Sequence, residues 1–460
     1  MRRGRPAVRP RKRTDPPASV RDRITRAQWL TLLATTLAWG LDGFDGSLFT
    51  LVVGPAMTEI LATGGVPADP DTVKFYSGVA ISIYLLGWAL GAVVLGVLAD
   101  YLGRLRVLTA GILVFAVFTA LTALATDFWQ VAVFRFLAGV GSGVEYPVGA
   151  TLIAEVWTNR HRARAASVMA SGYAAGYFLA SVTYGLIGGF GWRVTIAVTL
   201  VPALLVFVIR RFLKEPETAI AARRQRRALR EVPGARPPRF TLVELFSRPL
   251  RRTTVLAMVL CAGTLLAFWS ITTWAPQMIR DLASTDGEAL TRVAVGTALL
   301  NLGGFLGYAS WGFIADALGR RPAFVVSIAC MWVGSAVLFP WGWGYQMYLV
   351  VLPVIGFGVF GAFSGCAVWF PELFAPPVRA TAMSFTNSFG RILTAPGPVV
   401  AGVVAASWFG GSLPQAVMVV ATIGLIALIG VALLPETRGE MVHGWSPDAD
   451  GPPSGASNQA

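Results

Sequence analysis

Five charged residues fall inside stretches that otherwise read as membrane helices: Asp42, Asp45, Arg135, Glu145 and Arg391. A charge near the bilayer centre costs roughly 2.5–3.5 kcal/mol even on the most lenient insertion scale. A chain that only had to be inserted would not carry them, so they must face one another, water or a cargo. Asp42 and Asp45 are three apart and share one helical face. Two carboxylates that close in a low dielectric resist being ionised together, and such a pair can take up and release a proton. Arg135 and Arg391 carry guanidinium groups able to grip a carboxylate in bidentate fashion. The chemistry these types and spacings suggest is proton exchange beside an anion site. Blander roles compete with it. Asp42 or Asp45 would then cap or hydrogen-bond a neighbouring helix, and Arg135 would sit in a permanent structural ion pair. Glu145 would accept from backbone or hydroxyl groups, and Arg391 would pair with a carbonyl or a carboxylate.

The elements that must position these groups follow from composition. The chain has 460 residues, 55% hydrophobic and 13% charged, and a soluble chain would be about a quarter charged. The 15 Trp and 50 Gly fit a membrane protein, in which Trp marks interfaces and Gly lets helices touch. A crossing helix needs about 20 apolar residues. Twelve stretches qualify: 28–56, 76–99, 105–125, 129–153, 166–189, 193–213, 254–279, 291–314, 322–342, 346–369, 380–405 and 414–434. The expected fold is an all-α membrane protein. At 1.5 Å per residue, Asp42 and Asp45 lie about 21–26 Å along the first span from its inner end, close to the midplane. Arg135 in the fourth span comes within side-chain reach of Asp45 if the two spans are neighbours. Glu145 sits about 15 Å below Arg135 on the same span. Arg391 falls in the middle of the eleventh.

The formal net charge of +14 invites a nucleic-acid reading. Its distribution excludes one: 10 Lys/Arg lie in residues 1–26 and 13 in residues 210–252, both flanking apolar spans. With both termini cytoplasmic, the inner segments hold 32 basic residues and the outer loops four, Lys74, Arg193, Arg280 and Arg292. That is the positive-inside bias, with some attraction to anionic lipid headgroups. No cleaved signal is expected after the basic start MRRGRPAVRPRKR, because the first apolar run is too long for a signal core. Residues 1–27 and 436–460 are expected to be disordered tails. Cys261, Cys330 and Cys366 fall in apolar segments and offer neither a disulfide framework nor metal-ligand spacing. His161 and His443 lie outside the expected spans, which leaves proton work to carboxylates. The chain carries no nucleotide-binding loop, catalytic triad or metal cluster, so neither an enzyme nor a cofactor is expected.

The chain also repeats itself. GVLADYLGR (96–104) returns as GFIADALGR (312–320), and AEVWTNRHRARAAS (154–167) returns as PELFAPPVRATAMS (371–384). Glu155 thereby aligns with Glu372 and Arg162 with Arg379. The expected organisation is two pseudo-symmetric six-helix bundles, 28–213 and 253–435, joined by a basic cytoplasmic linker, 214–252. Repeated halves of this kind place a cargo at the midplane between them. Arg391 has no counterpart in the first half, where Ala174 aligns, so it reads as an added function.

GVLADYLGRLR has the G-x-x-x-D-x-x-G-R-[KR] form found between helices 2 and 3 of the major facilitator superfamily, with the last basic residue displaced to Arg106. RFLAGVGSG (135–143) resembles that superfamily's helix-4 R-x-x-x-G-x-G run. Within it, LDGFD (41–45), GVEYPVGATLIAE (143–155) and WSITTWAP (269–276) resemble segments of the organic-acid:proton symporters, above all the sialate/lactate group. Two positions depart from that group: Val144 stands where a Gly usually precedes the helix-4 Glu, and Gly46 where an aromatic often follows the helix-1 run. LPETRG (434–439) resembles the closing motif of sugar porters, whose paired helix-7 glutamines are absent. The helix-5 Gly-Pro motif of drug antiporters is also absent.

The resemblance implies a twelve-helix carrier, a monomer in a bacterial inner membrane, moving a small organic anion inward with a proton by alternating access. Monocarboxylates such as lactate, sialate or an aromatic acid fit. The resemblance also suggests an Asp45–Arg135 pair, with Asp45 carrying the proton and Asp42 or Glu145 assisting. Arg135 and Arg391 are then the anion-binding groups. Tyr146, Tyr173, Tyr177, Trp269, Thr272, Thr273, Trp274, Asn301 and Asn387 are candidates to line the cavity. The duplicated loops imply gating by Asp100, Gly103, Arg104, Glu155 and Arg162, and by Asp316, Gly319, Arg320, Glu372 and Arg379. The alternatives are a proton-antiporting exporter of drugs or metabolites, a sugar:proton symporter and a non-transporting nutrient sensor.

Overall fold

The computed structural model describes residues 24–200 and 240–394, five positions between 215 and 224, and 408–409, 412–438 and 440–441. The described chain is helical, with no strand among the described residues. The main helices are α1 (Arg26–Thr63), α2 (Pro70–Leu102), α3 (Arg104–Thr122), α4 (Phe128–Ser142), α5 (Glu145–Val156), α6 (Asn159–Ile187) and α7 (Trp192–Ala197). They continue as α8 (Thr241–Glu244), α9 (Arg248–Arg280), α10 (Asp286–Leu318), α11 (Arg320–Leu338), α12 (Tyr345–Leu373), α13 (Arg379–Thr394), α14 (Leu413–Ile423) and α15 (Ala427–Leu433). Among the described residues, ten helical segments are long and apolar enough to cross a membrane. Two expected spans, 193–213 and 380–405, run into residues outside the described set, as do most of the linker and both tails.

Several helices extend past the apolar bands that announced them. Helix α1 begins at Arg26, inside the expected tail, because Thr25 and Gln28 form a reciprocal capping box. Gln28 Nε2 also donates to the Val156 carbonyl at 3.1 Å and ties the start of α1 to the end of α5. Helix α9 begins at Arg248, inside the expected linker. Hydropathy marks where lipid ends, and a capped helix continues beyond it. The fourth span is divided into α4 and α5. Gly143 and Val144 keep helical dihedrals. Pro147, however, has no N–H to offer the Gly143 carbonyl one turn back, so the hydrogen-bond ladder lapses there.

Glycine sets how closely the helices approach around the centre. A Cβ on Gly139 of α4 would lie 2.2 Å from the Tyr84 carbonyl of α2, and one on Gly143 would lie 2.4 Å from the Trp88 carbonyl. This backbone contact brings Tyr84 and Trp88 of α2 against α4. Gly43 of α1 sits equally tight against the Tyr173 carbonyl of α6. At the end carrying the repeated loops, Gly312 of α10 meets the Ala163 backbone of α6, and Gly96 of α2 meets Ser384 of α13. Replacing Gly139 with Ala should lower the unfolding midpoint in detergent, with a loss of about 1–3 kcal/mol from overpacking against backbone that cannot yield. Gly54→Ala, which enters open space, should leave the midpoint unchanged in the same scan.

Candidate functional site

The central site is built from α1, α2, α4 and α6. Arg135 Nη1 donates to Asp45 Oδ2 at 2.9 Å, and both side chains are buried. Arg135 Nε donates to Thr122 Oγ1 at 3.3 Å, and the guanidinium lies over the Phe49 ring at 4.1 Å. Arg135 Nη2 has no hydrogen-bond partner among the described residues. Asp42 is held differently. Its Oδ1 accepts from the Tyr84 hydroxyl at 2.8 Å and from the Ser142 hydroxyl, and its Oδ2 has no partner among the described residues. The two carboxylates share a face of α1 but not an environment: one is neutralised by a guanidinium, the other held by two hydroxyls.

A cavity of about 100 Å³ opens beside them. Asp42 and Arg135 line it together with the aromatic walls Phe49, Tyr84, Trp88, Tyr173, Tyr177 and Trp269. The Tyr173 and Tyr177 hydroxyls are 3.4 Å apart. Asp45 lies behind Arg135 and is not part of that lining. Beneath it is a second space of about 10 Å³, which shares Trp88, Tyr173 and Trp269 with the first and adds Arg391 and Tyr308. Arg391 is buried with its guanidinium 3.6 Å from the Trp88 ring centre. Cationic groups, one carboxylate edge and flat aromatic faces can together hold a planar anion.

The other sequence-derived positions divide. Tyr146, Thr272, Trp274, Asn301 and Asn387 line neither of these two spaces. Tyr146 is completely buried: its hydroxyl donates to the Phe363 carbonyl at 3.0 Å and its ring stacks on Phe363 at 4.8 Å, bolting α5 to α12. Thr272 bonds back to the Phe268 carbonyl at 2.7 Å. Trp274 packs half-buried against the core, Asn301 is exposed on α10, and Asn387 is buried. The Thr273 side chain lies outside the described residues. Glu145, in the first turn of α5, is buried, and neither carboxylate oxygen has a hydrogen-bond partner among the described residues. Tyr84, Ser142, Phe49 and Trp88 were not singled out from sequence. An aromatic or a serine in an apolar span carries no mark of which way it points.

The duplicated loops meet at the far end of the bundle. Gly103 and Gly319 occupy φ of +117° and +103°, a region open to glycine, and each ends one helix and starts the next. Arg104 reaches Asp100 at 2.8 Å, Glu155 at 3.3 Å and the Pro376 carbonyl at 2.6 Å. Asp100 Oδ2 accepts from the Thr381 N–H at 2.8 Å and its hydroxyl at 2.7 Å, in the first turn of α13, where a carboxylate suits the helix dipole. Glu155 also meets Arg379 at 3.4 Å. In the second copy, Arg320 grips Glu372 through Nε at 3.1 Å and Nη2 at 2.9 Å, and touches Asp316 at 3.2 Å. Asp316, half-buried, crosses to the exposed Arg164 at 3.1 Å. Arg162 is buried at this end near Glu372. Two carboxylates from the motifs after the last span of each repeat complete the pattern. Glu215 accepts from the N–H groups of Arg104 and Leu105 at 2.6 and 3.0 Å, and Glu436 from those of Arg320 and Arg321, both at 2.9 Å. Asp100→Ala should cost about 1–3 kcal/mol, since it removes the nearest partner of buried Arg104 and leaves the Thr381 donors unmet, while Glu155 still neutralises the guanidinium. Asp316→Ala should cost less, because its partner Arg164 is exposed and Arg320 keeps Glu372. Unfolding midpoints of the two purified variants measure the difference.

Residues 35–398 match the family profile of the Major Facilitator Superfamily. The chain is 32% identical to a protein of Cupriavidus pinatubonensis described as "Probable 4-methylmuconolactone transporter", over 89% of this chain and 91% of that one. It is 28% identical to the cis,cis-muconate transport protein of Acinetobacter baylyi, over 85% and 91% of the two chains. Among solved structures, the proton:xylose symporter XylE bound to 6-bromo-6-deoxy-D-glucose shares the fold with a TM-score of 0.72 at 16% identity, covering 90% of this chain and 97% of that one. The repeated loops, the helical architecture and these likenesses agree: the chain is a multi-pass membrane transporter that belongs to the Major Facilitator Superfamily.

Proposed function

We propose that this protein is a proton-coupled symporter of small organic anions, most suited to a planar unsaturated or aromatic monocarboxylate. It would lie in a bacterial inner membrane with both termini cytoplasmic. The observation that carries the reading is the Asp45–Arg135 ion pair standing one turn from Asp42, with Asp42 and Arg135 both facing one aromatic-walled cavity. Relatives named for carrying methylmuconolactone and muconate support an unsaturated carboxylic cargo over lactate or a sugar.

The proposed cycle follows from the wiring. A proton enters at Asp42, the carboxylate in contact with the cavity. The cargo carboxylate takes the free Nη2 donor of Arg135 and competes with Asp45 for the guanidinium. The two aspartates share one excess charge, so neutralising Asp42 eases the loss of Asp45's partner. Occupation then favours rocking of bundles 28–213 and 253–435, and the buried network around Arg104 and Glu155 must open on the other side. One proton per monoanion makes the cycle electroneutral, driven by pH difference more than by voltage.

In proteoliposomes, uptake of an acid chosen by thermal-shift screening of aromatic and unsaturated carboxylates should rise with an inward proton gradient. Asp42→Asn should abolish gradient-driven accumulation and leave counterflow. Arg135→Lys should raise KM on the order of tenfold through loss of the second donor, a difference of about 1.4 kcal/mol. Accumulation against a gradient by Asp42→Asn would contradict the assignment. If Asp45→Asn alone uncouples, the proton resides on Asp45 instead.

A further inference from the structure

Trp88 separates the two spaces at the centre. Its indole forms part of the wall of both the outer cavity and the small inner one. It also covers the Arg391 guanidinium, at 3.6 Å from ring centre to Cζ. The indole Nε1 is buried and has no hydrogen-bond partner among the described residues, so ring packing and the cation–π contact with Arg391 hold it. Behind it, the inner space of about 10 Å³ has room for no more than a water. Yet the Tyr308 hydroxyl, on a fully buried residue of that wall, has no partner there. On α13, the Asn387 amide and the Ser388 hydroxyl, within one turn of Arg391 though outside the lining of the inner space, are buried and have no hydrogen-bond partner among the described residues. Buried polar groups in native proteins are normally satisfied. Such a collection beside a cation, closed off by an aromatic plate that no hydrogen bond pins, is what a collapsed ligand subsite looks like.

We propose that Trp88 is a gate between an outer and an inner anion subsite, and that a carboxylate reaches Arg391 and Tyr308 only when the indole swings off the guanidinium. The proposal rests on the transport reading and deepens it. The cargo is first held beside Arg135 with Trp88 as the floor. It then moves one layer inward, where its own flat apolar body replaces the indole among Trp39, Tyr173, Trp269 and Phe363. A planar acid fits this exchange because it substitutes one π face near Arg391 for another. A bulky, non-planar acid can occupy the outer subsite but cannot follow. The register of the helices permits the motion to be sensed. Helix α2 lies along α13, with Gly96 against Ser384 at one end and Trp88 against Arg391 at the other, and Asp100 caps that same α13. A displaced indole therefore loosens the central contact of the helix pair whose end is latched.

The test uses the full chain in intact cells and a membrane-impermeant anionic thiol reagent, 2-sulfonatoethyl methanethiosulfonate. Leu265, an apolar residue of the inner wall, is changed to cysteine. Modification at position 265 is read by mass spectrometry against the parent chain. With Trp88 in place, modification should be slow. Trp88→Leu should speed it by at least about tenfold, the shift expected when a closed population becomes an open one. Trp88→Phe, which keeps a ring over Arg391, should leave it slow. If Trp88→Leu yields no monodisperse protein, Trp88→Met takes its place. Rapid modification with Trp88 present, or equal rates in the Trp, Leu and Phe versions, would overturn the gate. Labelling does not depend on transport, so loss of proton-driven uptake would sink the symport reading while leaving this result intact, and the reverse holds too.

Discussion

The structure depends on one electrostatic constraint: a guanidinium taken out of water must be neutralised. Desolvating an ion costs several kcal/mol after relaxation, and only a close, well-oriented partner recovers it. Arg135 meets this condition through Asp45, which locks α1 to α4 in a single register. That register carries Asp42 to the junction of α1, α2 and α4, where Tyr84 and Ser142 reach it. The cavity exists because α2 and α4 pack backbone to backbone through Gly139 and Gly143, leaving the larger side chains to spread along one edge. Anything that competes for Arg135 therefore acts on the joint that organises the first group of helices.

The same constraint governs the far end, but unequally in the two repeats. Around Arg104 the network is fully enclosed: Asp100 and Glu155 are both buried, and contacts pass to Arg379, Thr381 and the Pro376 carbonyl. In the second copy the enclosed part, Arg320 with Glu372, lies within one repeat. One crossing contact, Asp316 to Arg164, is half-exposed, where screening weakens it, while Arg162 of the first repeat lies buried near Glu372. The duplicated motif is thus enclosed around Arg104 and partly open to solvent at Asp316. The enclosed copy holds α13 by its amino end, and α13 also carries Arg391.

Aromatic rings make up most of the cavity wall. Trp39, Trp88 and Tyr173 lie within contact of one another, with ring centres 6.2 Å apart for the two tryptophans and 4.6 Å for Trp39 and Tyr173. Such faces favour flat, apolar bodies, while the charged groups fix only one edge of a ligand. The arginines bring positive charge to the site, and the rings bring its flat walls.

Much of this was legible in the chain. Hydropathy marked stretches that fold as long helices, and the duplicated G-x-x-x-D loops marked the two places where buried charges gather. The rarity of charge in lipid singled out Asp42, Asp45, Arg135 and Arg391, because one buried charge costs more than any local preference can hide. What stayed hidden were the neutral partners. Tyr84, Ser142 and Trp88 became part of the site only through the glycine-mediated approach of α2 to α4. Tyr146, placed by its sequence beside Glu145, turned instead to bolt α5 onto α12. Composition and periodicity report the cost of moving a residue out of water, which is a property of that residue. Which residue faces which is set by helix rotation and crossing, and those are decided when distant segments pack.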